Sequence, residues 1–342
     1  MRELPACDFV LTGATGFLGG AVLQRLLLRG LRATAIRCLV RDRARALAQG
    51  IPADCVFCAD LANPADSRAL AAAVEGAGVV LHLAGAVKAW NRSGFEGPNV
   101  DGTRRLLAAV ENSSPSAHFL LVSSLAAAGP SIDGASSTAM PDRCRPVSAY
   151  GDTKRRAELA VLQARMPWTI VRPPIVYGPA DAATRLLFKQ ACAPLTAVLA
   201  RPRPLSVIFR DDVVEALMRA LSVRPAGVVL ALDGPERTDT HALLRAMATA
   251  CGRTARLVPV PMPFVGAAAL TCDLFAAMRH RAGFFNRDKV REIRADGWVA
   301  DGTAAKQLLG FQPAMPLAAG LLNTARAEGF VRSTATPTST TA

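Results

Sequence analysis

Lysine is nearly missing from this chain. Five lysines stand among 342 residues, so arginine carries almost all of the positive excess behind a net charge of +13. Aromatic residues make up only 5 % of the chain, with two tyrosines and three tryptophans. A nucleic-acid surface needs a dense basic run interleaved with stacking aromatics. None occurs, so no nucleic-acid partner is expected, and the charge reads as compositional bias plus attraction for anionic ligands. Cysteine supplies no framework either: eight thiols are scattered, and Cys55 and Cys58 form the one CxxC. No second pair sits at zinc-ligand spacing, and Val56-Phe57 between the two cysteines has strand character. Buried, reduced thiols are expected there, and no metal. Long apolar runs are absent too. The longest, Phe264 to Met278, includes Asp273 and falls short of the roughly 20 residues a membrane span requires. It reads as a core or lid helix beside a substrate site, with weak membrane-surface contact as the competing reading. A first strand entered by about Asp8 leaves no room for a signal peptide, and the expected location is cytoplasmic.

What is present describes a soluble globular protein, with 51 % hydrophobic and 20 % charged residues and length enough for one large domain or two. The chain is organised around Phe9-Val10-Leu11-Thr12-Gly13-Ala14-Thr15-Gly16-Phe17-Leu18-Gly19-Gly20. A short apolar strand stops at a glycine cluster, and an apolar helical pattern (Val22, Leu23, Leu26, Leu27) follows at once. Strand, glycine turn and helix in that order suit a dinucleotide pyrophosphate. Gly13 permits the tight turn, Gly16 lets the backbone approach the phosphates, and Gly19 lets the helix pack close. The helix N-terminus then offers free N–H groups to the anion.

Strands and helices alternate from there. Strands are expected over 34–40, 56–59, 79–83, 119–122 and 168–172, with helices over 67–74, 104–111 and 155–163 between them. This alternation predicts a doubly wound parallel sheet, in which ligands bind beyond the carboxyl ends of the strands. Gly13, Arg41, Asp60, Ala84 and Ser124 all fall there. Arg41 lies about where such folds read the adenosine ribose, and arginine pairs with a 2′-phosphate where an acid would take the hydroxyl. Arg41 therefore favours NADP, while Asp42 beside it keeps NAD open. Beyond residue 178 the alternation weakens. A helix over 181–199, a strand over 205–209, a helix over 213–221 capped by Asp211-Asp212, a strand over 227–232 and helices over 241–251, 264–281, 289–294, 303–309 and 317–328 are expected. The domains read as 1–178, to which 205–232 returns, against a smaller, mostly C-terminal α/β substrate-binding domain of 179–204 and 233–330. A Ser/Thr-rich tail, 331–342, reads as disordered.

Tyr150 and Lys154 are four residues apart at the start of a helical stretch and share one face. With so few of either residue, chance would produce a Tyr-x-x-x-Lys in only about 3 % of such chains. A phenol with a pKa near 10 is a weak base at neutral pH, and a nearby ammonium, joined by the positive nicotinamide ring of an oxidised cofactor, is expected to lower that value. Tyr150 would then exchange a proton with an alcohol or ketone while Ser124 hydrogen-bonds the reacting oxygen.

At this point the chain resembles an extended short-chain dehydrogenase/reductase of the NAD-dependent epimerase/dehydratase superfamily. The resemblance rests on Thr12 to Gly19, Asp60-Leu61, His82-Leu83-Ala84-Gly85, Asn99-Val100-Asp101-Gly102-Thr103, Ser123-Ser124, Tyr150 to Lys154, Arg172 to Gly178 and Asp211-Asp212-Val213. It implies a Rossmann-type fold with catalytic Ser124, Tyr150 and Lys154. It also implies a cofactor held by Gly13, Thr15, Gly16, Phe17, Leu18 and Gly19, with Asp60 and Leu61 at the adenine. Leu83, Ala84, Gly85 and Lys154 would lie at the nicotinamide ribose, Pro173 at the carboxamide, and two copies would pair as a homodimer. Sugar dehydratases of this superfamily carry an Asp-Glu pair directly after the catalytic hydroxyl residue. Leu125-Ala126 stand there, so dehydration is not expected. The apolar stretch near 264–278 resembles the 3β-hydroxysteroid dehydrogenase-like and ketone-reductase branches. The expectation is an NAD(P)-dependent oxidoreductase of secondary alcohols and ketones. A nucleotide-sugar epimerase using bound NAD and a non-catalytic NADP-binding sensor are the alternatives.

Overall fold

A computed structural model describes residues 4, 8–89, 91–279 and 286–331, with the side chains of 273–279 left aside. The first half builds a sheet from β1 (Phe9–Thr12), β2 (Ile36–Val40), β3 (Val56–Cys58), β4 (Val79–His82), β5 (His118–Val122) and β6 (Trp168–Arg172). Between them run helices α1 (Phe17–Leu28), α2 (Arg43–Ala48), α3 (Ser67–Val74), α4 (Ser93–Glu96), α5 (Gly102–Ser113), α6 (Leu125–Ala128) and α7 (Ala149–Leu162). The second half contributes short strands β7 (Ile175–Tyr177), β8 (Thr196–Val198), β9 (Pro204–Leu205), β10 (Val207–Phe209), β11 (Val228–Ala231), β12 (Thr238–Asp239) and β13 (Leu257–Pro259). Its helices are α8 (Ala182–Ala191), α9 (Arg210–Val223), α10 (Thr240–Ala250), α11 (Met262–Arg279), α12 (Arg287–Arg294), α13 (Thr303–Leu309) and α14 (Leu317–Ala327).

One seven-stranded sheet runs in the order β11-β6-β5-β4-β1-β2-β3, and every neighbouring pair is parallel. The strand order turns around at β1, beside β4, which is the switch point where doubly wound sheets leave a crevice. Helices cover both faces. Phe9, Leu11, Leu81 and Leu120 pack under α1 and α9 on one side, while Val10, Val80, Phe119 and Leu121 face α3 and α5 on the other. Such strands, buried on both faces, read as unbroken apolar runs, which is why they were visible in the sequence.

The second half departs from expectation in several places. The helix over 181–199 ends at Ala191, and Thr196–Val198 is a strand paired with Leu257–Pro259. The stretch 205–209 breaks at Ser206, whose backbone N–H bonds Trp298 O and whose hydroxyl bonds Asp233. Of 205–232, only β11 joins the large sheet; β10 pairs with β7, and β9 with β12. Asp211 and Asp212 do not cap α9, because the helix already begins at Arg210. Asp212 instead accepts the backbone N–H groups of Ala314 and Met315 at 3.0 and 3.1 Å. Thr34-Ala35 form a tight turn rather than the start of β2. The helix expected over 104–111 continues back through a π-turn at Gly97–Asp101 to Ser93. The tail from 332 onward, and residues 280 and 281 of the apolar helix, lie outside the described residues.

Cys55 is buried, but Cys58 is exposed, contrary to expectation. The neighbour of the Cys55 thiol is Cys38 on β2, across the β2–β3 pair, and burial pushes both thiols up. Among the described residues no cluster could hold a metal ion, and no helix is long and apolar enough to cross a membrane.

Candidate active site

The glycine turn is as tight as its residues allow. Gly13 sits at φ +76°, and a Cβ there would lie 2.8 Å from the backbone of both Leu83 and Ala84 on the neighbouring strand. A Cβ on Gly19 would come within 2.0 Å of the Gly13 carbonyl oxygen. Both positions therefore demand glycine. The N-terminus of α1 carries no side-chain cap and no acid in its first turn, so its N–H groups stay open to an anion. The half-buried ring of Phe17 at this end lies under the guanidinium of Arg210, 5.6 Å from ring centre to carbon. These features fit a dinucleotide.

A directional hydrogen-bond chain ties the turn to the rest of the crevice. The Ala84 N–H donates to Thr12 Oγ1 at 3.0 Å, and Thr12 Oγ1 lies 2.7 Å from His82 Nδ1. His82 Nε2 lies 2.9 Å from Thr103 Oγ1, which donates to the Asn99 carbonyl at 2.7 Å. The Thr103 hydroxyl spends its proton on Asn99, so His82 carries a proton on Nε2, and in the neutral ring Nδ1 accepts the Thr12 hydroxyl. Burial lowers the His82 pKa to about 3, with the Lys154 ammonium adding to the effect. Asn99 continues the connection. Its Oδ1 accepts the Ala86 N–H at 2.7 Å, and its Nδ2 reaches Thr153 Oγ1 at 3.0 Å on α7. The sequence placed Asn99 in a motif but showed nothing of this network, because its partners lie far apart along the chain.

Ser124 follows β5 and caps α6, accepting the Ala126 N–H at 3.1 Å. Its hydroxyl lies close enough to the Tyr150 phenol to favour the phenolate. Lys154, one turn along α7, is buried and donates to the Val122 carbonyl at 2.9 Å. The structure thus brings Ser124, Tyr150 and Lys154 together beside Gly85 at the carboxyl edge of the sheet. One expectation is corrected. The phenol is not activated by the lysine in this state: burial is the largest influence and pushes Tyr150 up to about 12, with Ser124 opposing and Glu292 adding. The Lys154 ammonium is turned to the Val122 carbonyl, and burial lowers its own pKa to about 8 despite the nearby Glu158.

The remaining expected residues sit around this edge. Arg41 is exposed at the end of β2, whereas Asp42 accepts the Arg45 N–H at 2.9 Å as the cap of α2. The Asp60 side chain accepts the Ala62 N–H at 2.9 Å, and Leu61 is buried. Pro173 is buried directly after β6, and its carbonyl accepts the Leu125 N–H at 2.9 Å. Thr15 and Leu18 are half-buried at the glycine turn.

Three elements of the site escaped sequence reading. Arg172 and Glu158 form an ion pair at 2.6 Å with both side chains fully buried. Arg172 also donates to the Ser137 and Ala139 carbonyls at 3.0 and 2.7 Å, tethering the Ser/Pro-rich loop over 129–148. Asp288 and Glu292 of α12 meet the N-terminus of α7. Ser123 Oγ, beside Ser124 in the chain, is buried with no hydrogen-bond partner among the described residues.

Residues 9–229 match the NAD dependent epimerase/dehydratase family. A ceramide reductase of Caulobacter vibrioides is 32 % identical over 307 residues, covering 86 % of this chain and 89 % of that protein. A 2-alkyl-3-oxoalkanoate reductase of Shewanella oneidensis is 27 % identical over 223 residues, covering 59 % and 53 %. The UDP-glucuronic acid 4-epimerase of Bacillus cereus, solved with UDP-glucuronic acid and NAD, superposes with a TM-score of 0.68 at 19 % identity, covering 94 % and 99 %. That likeness shows the shared fold. The chain belongs to the NAD dependent epimerase/dehydratase family and is an NAD(P)-dependent oxidoreductase.

Proposed function

We propose that the chain reduces a ketone on a lipophilic substrate to a secondary alcohol, with Tyr150 as the proton donor and NADPH as the preferred cofactor. The observation that carries this reading is the meeting of Ser124, at the end of β5, with Tyr150 and the buried Lys154 on α7, set against the glycine turn. The buried, apolar Leu125-Ala126 follow Ser124 directly, where water elimination would need acids. When bound, a reduced nicotinamide supplies the hydride. The chain's own residues handle the oxygen: Ser124 hydrogen-bonds it, and Tyr150 gives its O–H proton to it. A phenol held protonated suits that direction. Lys154, cationic below its pKa of about 8, adds positive charge beside the developing alkoxide.

Asp42 spends one carboxylate oxygen on the α2 cap while Arg41 stands exposed, which supports pairing with a 2′-phosphate. The names of the two reductase relatives support an acyl-chain or long-chain keto substrate. Residues 1–178 with β11 would carry the cofactor, and 179–204 with 233–330 would carry substrate selection. The test is consumption of NADPH by purified protein against long-chain 3-keto compounds, short ketones and nucleotide sugars. Turnover confined to nucleotide sugars, with NAD surviving purification, overturns the reading in favour of the epimerase, which the NAD-bound structural neighbour supports.

A further inference from the structure

The catalytic helix α7 starts at Ala149, one residue before Tyr150, and its first turn meets a second helix. Asp288 Oδ1 of α12 accepts the Ala149 N–H at 2.7 Å, and Oδ2 lies 3.4 Å from the Tyr150 N–H. Ser148, the cap of α7, accepts the Gly151 N–H at 3.0 Å and donates its hydroxyl proton to Glu292 Oε1 at 2.7 Å. Two carboxylates from a segment about 140 residues downstream thus occupy the positive end of the helix that holds the proton-transfer residue.

The contact is built from sequence upward. Asn286 caps α12 by accepting the Lys289 N–H at 2.7 Å, which sets the register. Asp288 and Glu292, four apart, then share one face. Glu292 is further held by Lys289 Nζ at 2.7 Å, and the Glu292 carbonyl accepts the Trp298 indole N–H at 2.9 Å. Arg291 lies 3.5 Å from Asp288.

Resting on the oxidoreductase reading, we propose that Asp288 and Glu292 are positioning residues that pin the first turn of α7 and hold Tyr150 in its proton-donating form. A negative charge beside a phenol disfavours the phenolate, so Glu292 adds to the burial that already keeps Tyr150 protonated, while Asp288 fixes the backbone of the same turn. Among the described residues, the charged groups on and beside the first turns of α7 include several that are paired with one another or turned away. Arg92 bonds Asp152 and Glu96, and Arg156 bonds Glu96 at 2.6 Å. Lys154 faces the Val122 carbonyl, and α6 contributes only Leu125 and alanines. Glu292 is accordingly the acidic group acting on Tyr150, with Lys289 tempering it.

The test reads the phenolate directly and needs no substrate. The ultraviolet absorbance of the protein with oxidised cofactor bound is titrated with base, and the titration of Tyr150→Phe is subtracted to leave Tyr150 alone. Glu292→Gln, which keeps the hydrogen bond to Ser148 but not the charge, moves the midpoint toward acid by about one pH unit. Lys289→Ala, at an exposed site, moves it toward alkali. In steady-state kinetics Asp288→Ala lowers kcat about tenfold while cofactor affinity holds, and Asp288→Asn, which keeps an acceptor for Ala149, recovers most of the loss. A midpoint unmoved by both charge changes overturns the proposal. Because the titration is independent of turnover, that result is distinct from a failure to reduce any ketone.

Discussion

The two halves of the molecule solve different problems with different materials. The half built on β1–β6 is a layered sheet whose strands, the β3 edge apart, are buried on both faces. Apart from β11, the half beyond residue 178 has strands of two or three residues in separate ribbons, cross-tied by side chains such as Asp212, Ser206 and Asp288 to backbone far away in sequence. In the first half local sequence sets local structure. In the second, contacts between distant segments do. The proposed catalytic pair, Tyr150 and Lys154, sits at the seam, on α7, gripped by the sheet through Lys154 and by the second half through α12.

The sharpest way to break the comparison is to remove chemistry without touching either half. Tyr150→Phe deletes one hydroxyl and should cost turnover on the order of 10⁴-fold, while cofactor affinity measured by fluorescence titration stays the same. Retained turnover would leave α7 as a scaffold only.

Next in size is the tether between α7 and the loop over 129–148. Glu158→Gln leaves the Arg172 guanidinium buried without its counter-charge and should destabilise the fold by about 3–5 kcal/mol in denaturant unfolding. Replacing both members with well-packed apolar residues should recover most of that loss, because no isolated charge remains. The loop would then be held by packing alone, and its protease sensitivity should rise even where stability returns.

A third effect separates the halves by pH. His82 is held neutral well below its ordinary value, so between pH 6.5 and about 3 the unfolded chain binds a proton that the folded one refuses. Stability therefore falls as pH drops through that window, by about 2 kcal/mol near pH 5 from this histidine alone. Thermal melting of the wild type against His82→Leu across pH 7 to 5 checks it: the variant should lose the slope that His82 contributes. Burial also lowers His118, on β5, to about 4, so the sheet half carries two such groups.

How much of this was legible follows from the same contrast. Gly13 and Gly19 announced the turn because a side chain at either would strike neighbouring backbone, and the apolar runs announced the strands because both faces are buried. Tyr150 and Lys154 were visible because they share one helix. Asp288, Glu292, Glu158 and Arg172 were not, since each is an ordinary charged residue in its own segment and gains meaning only from a partner 14 to 144 residues away. Ser206 is the same lesson in reverse. A mostly apolar run from Leu205 to Phe209, with Ser206 as its one polar residue, hid a break made by side-chain and backbone bonds to Asp233 and Trp298.

The smallest expected effect is the one that decides the cofactor. Arg41 is exposed, so water screens whatever charge it meets, and its contribution belongs at the low end for a charged hydrogen bond. Arg41→Ala should weaken NADPH binding by about 1–2 kcal/mol and leave NADH nearly unchanged, as measured by fluorescence quenching at fixed ionic strength. Raising the salt should shrink the difference between the two cofactors in the wild type and have little effect on it in the variant, because the discrimination is an exposed charge contact. Equal weakening for both cofactors would mean that Arg41 shapes the β2–α2 turn rather than reading a phosphate. Asp42, already capping α2, would then stand as the group nearest the ribose, and the preference would turn to NAD.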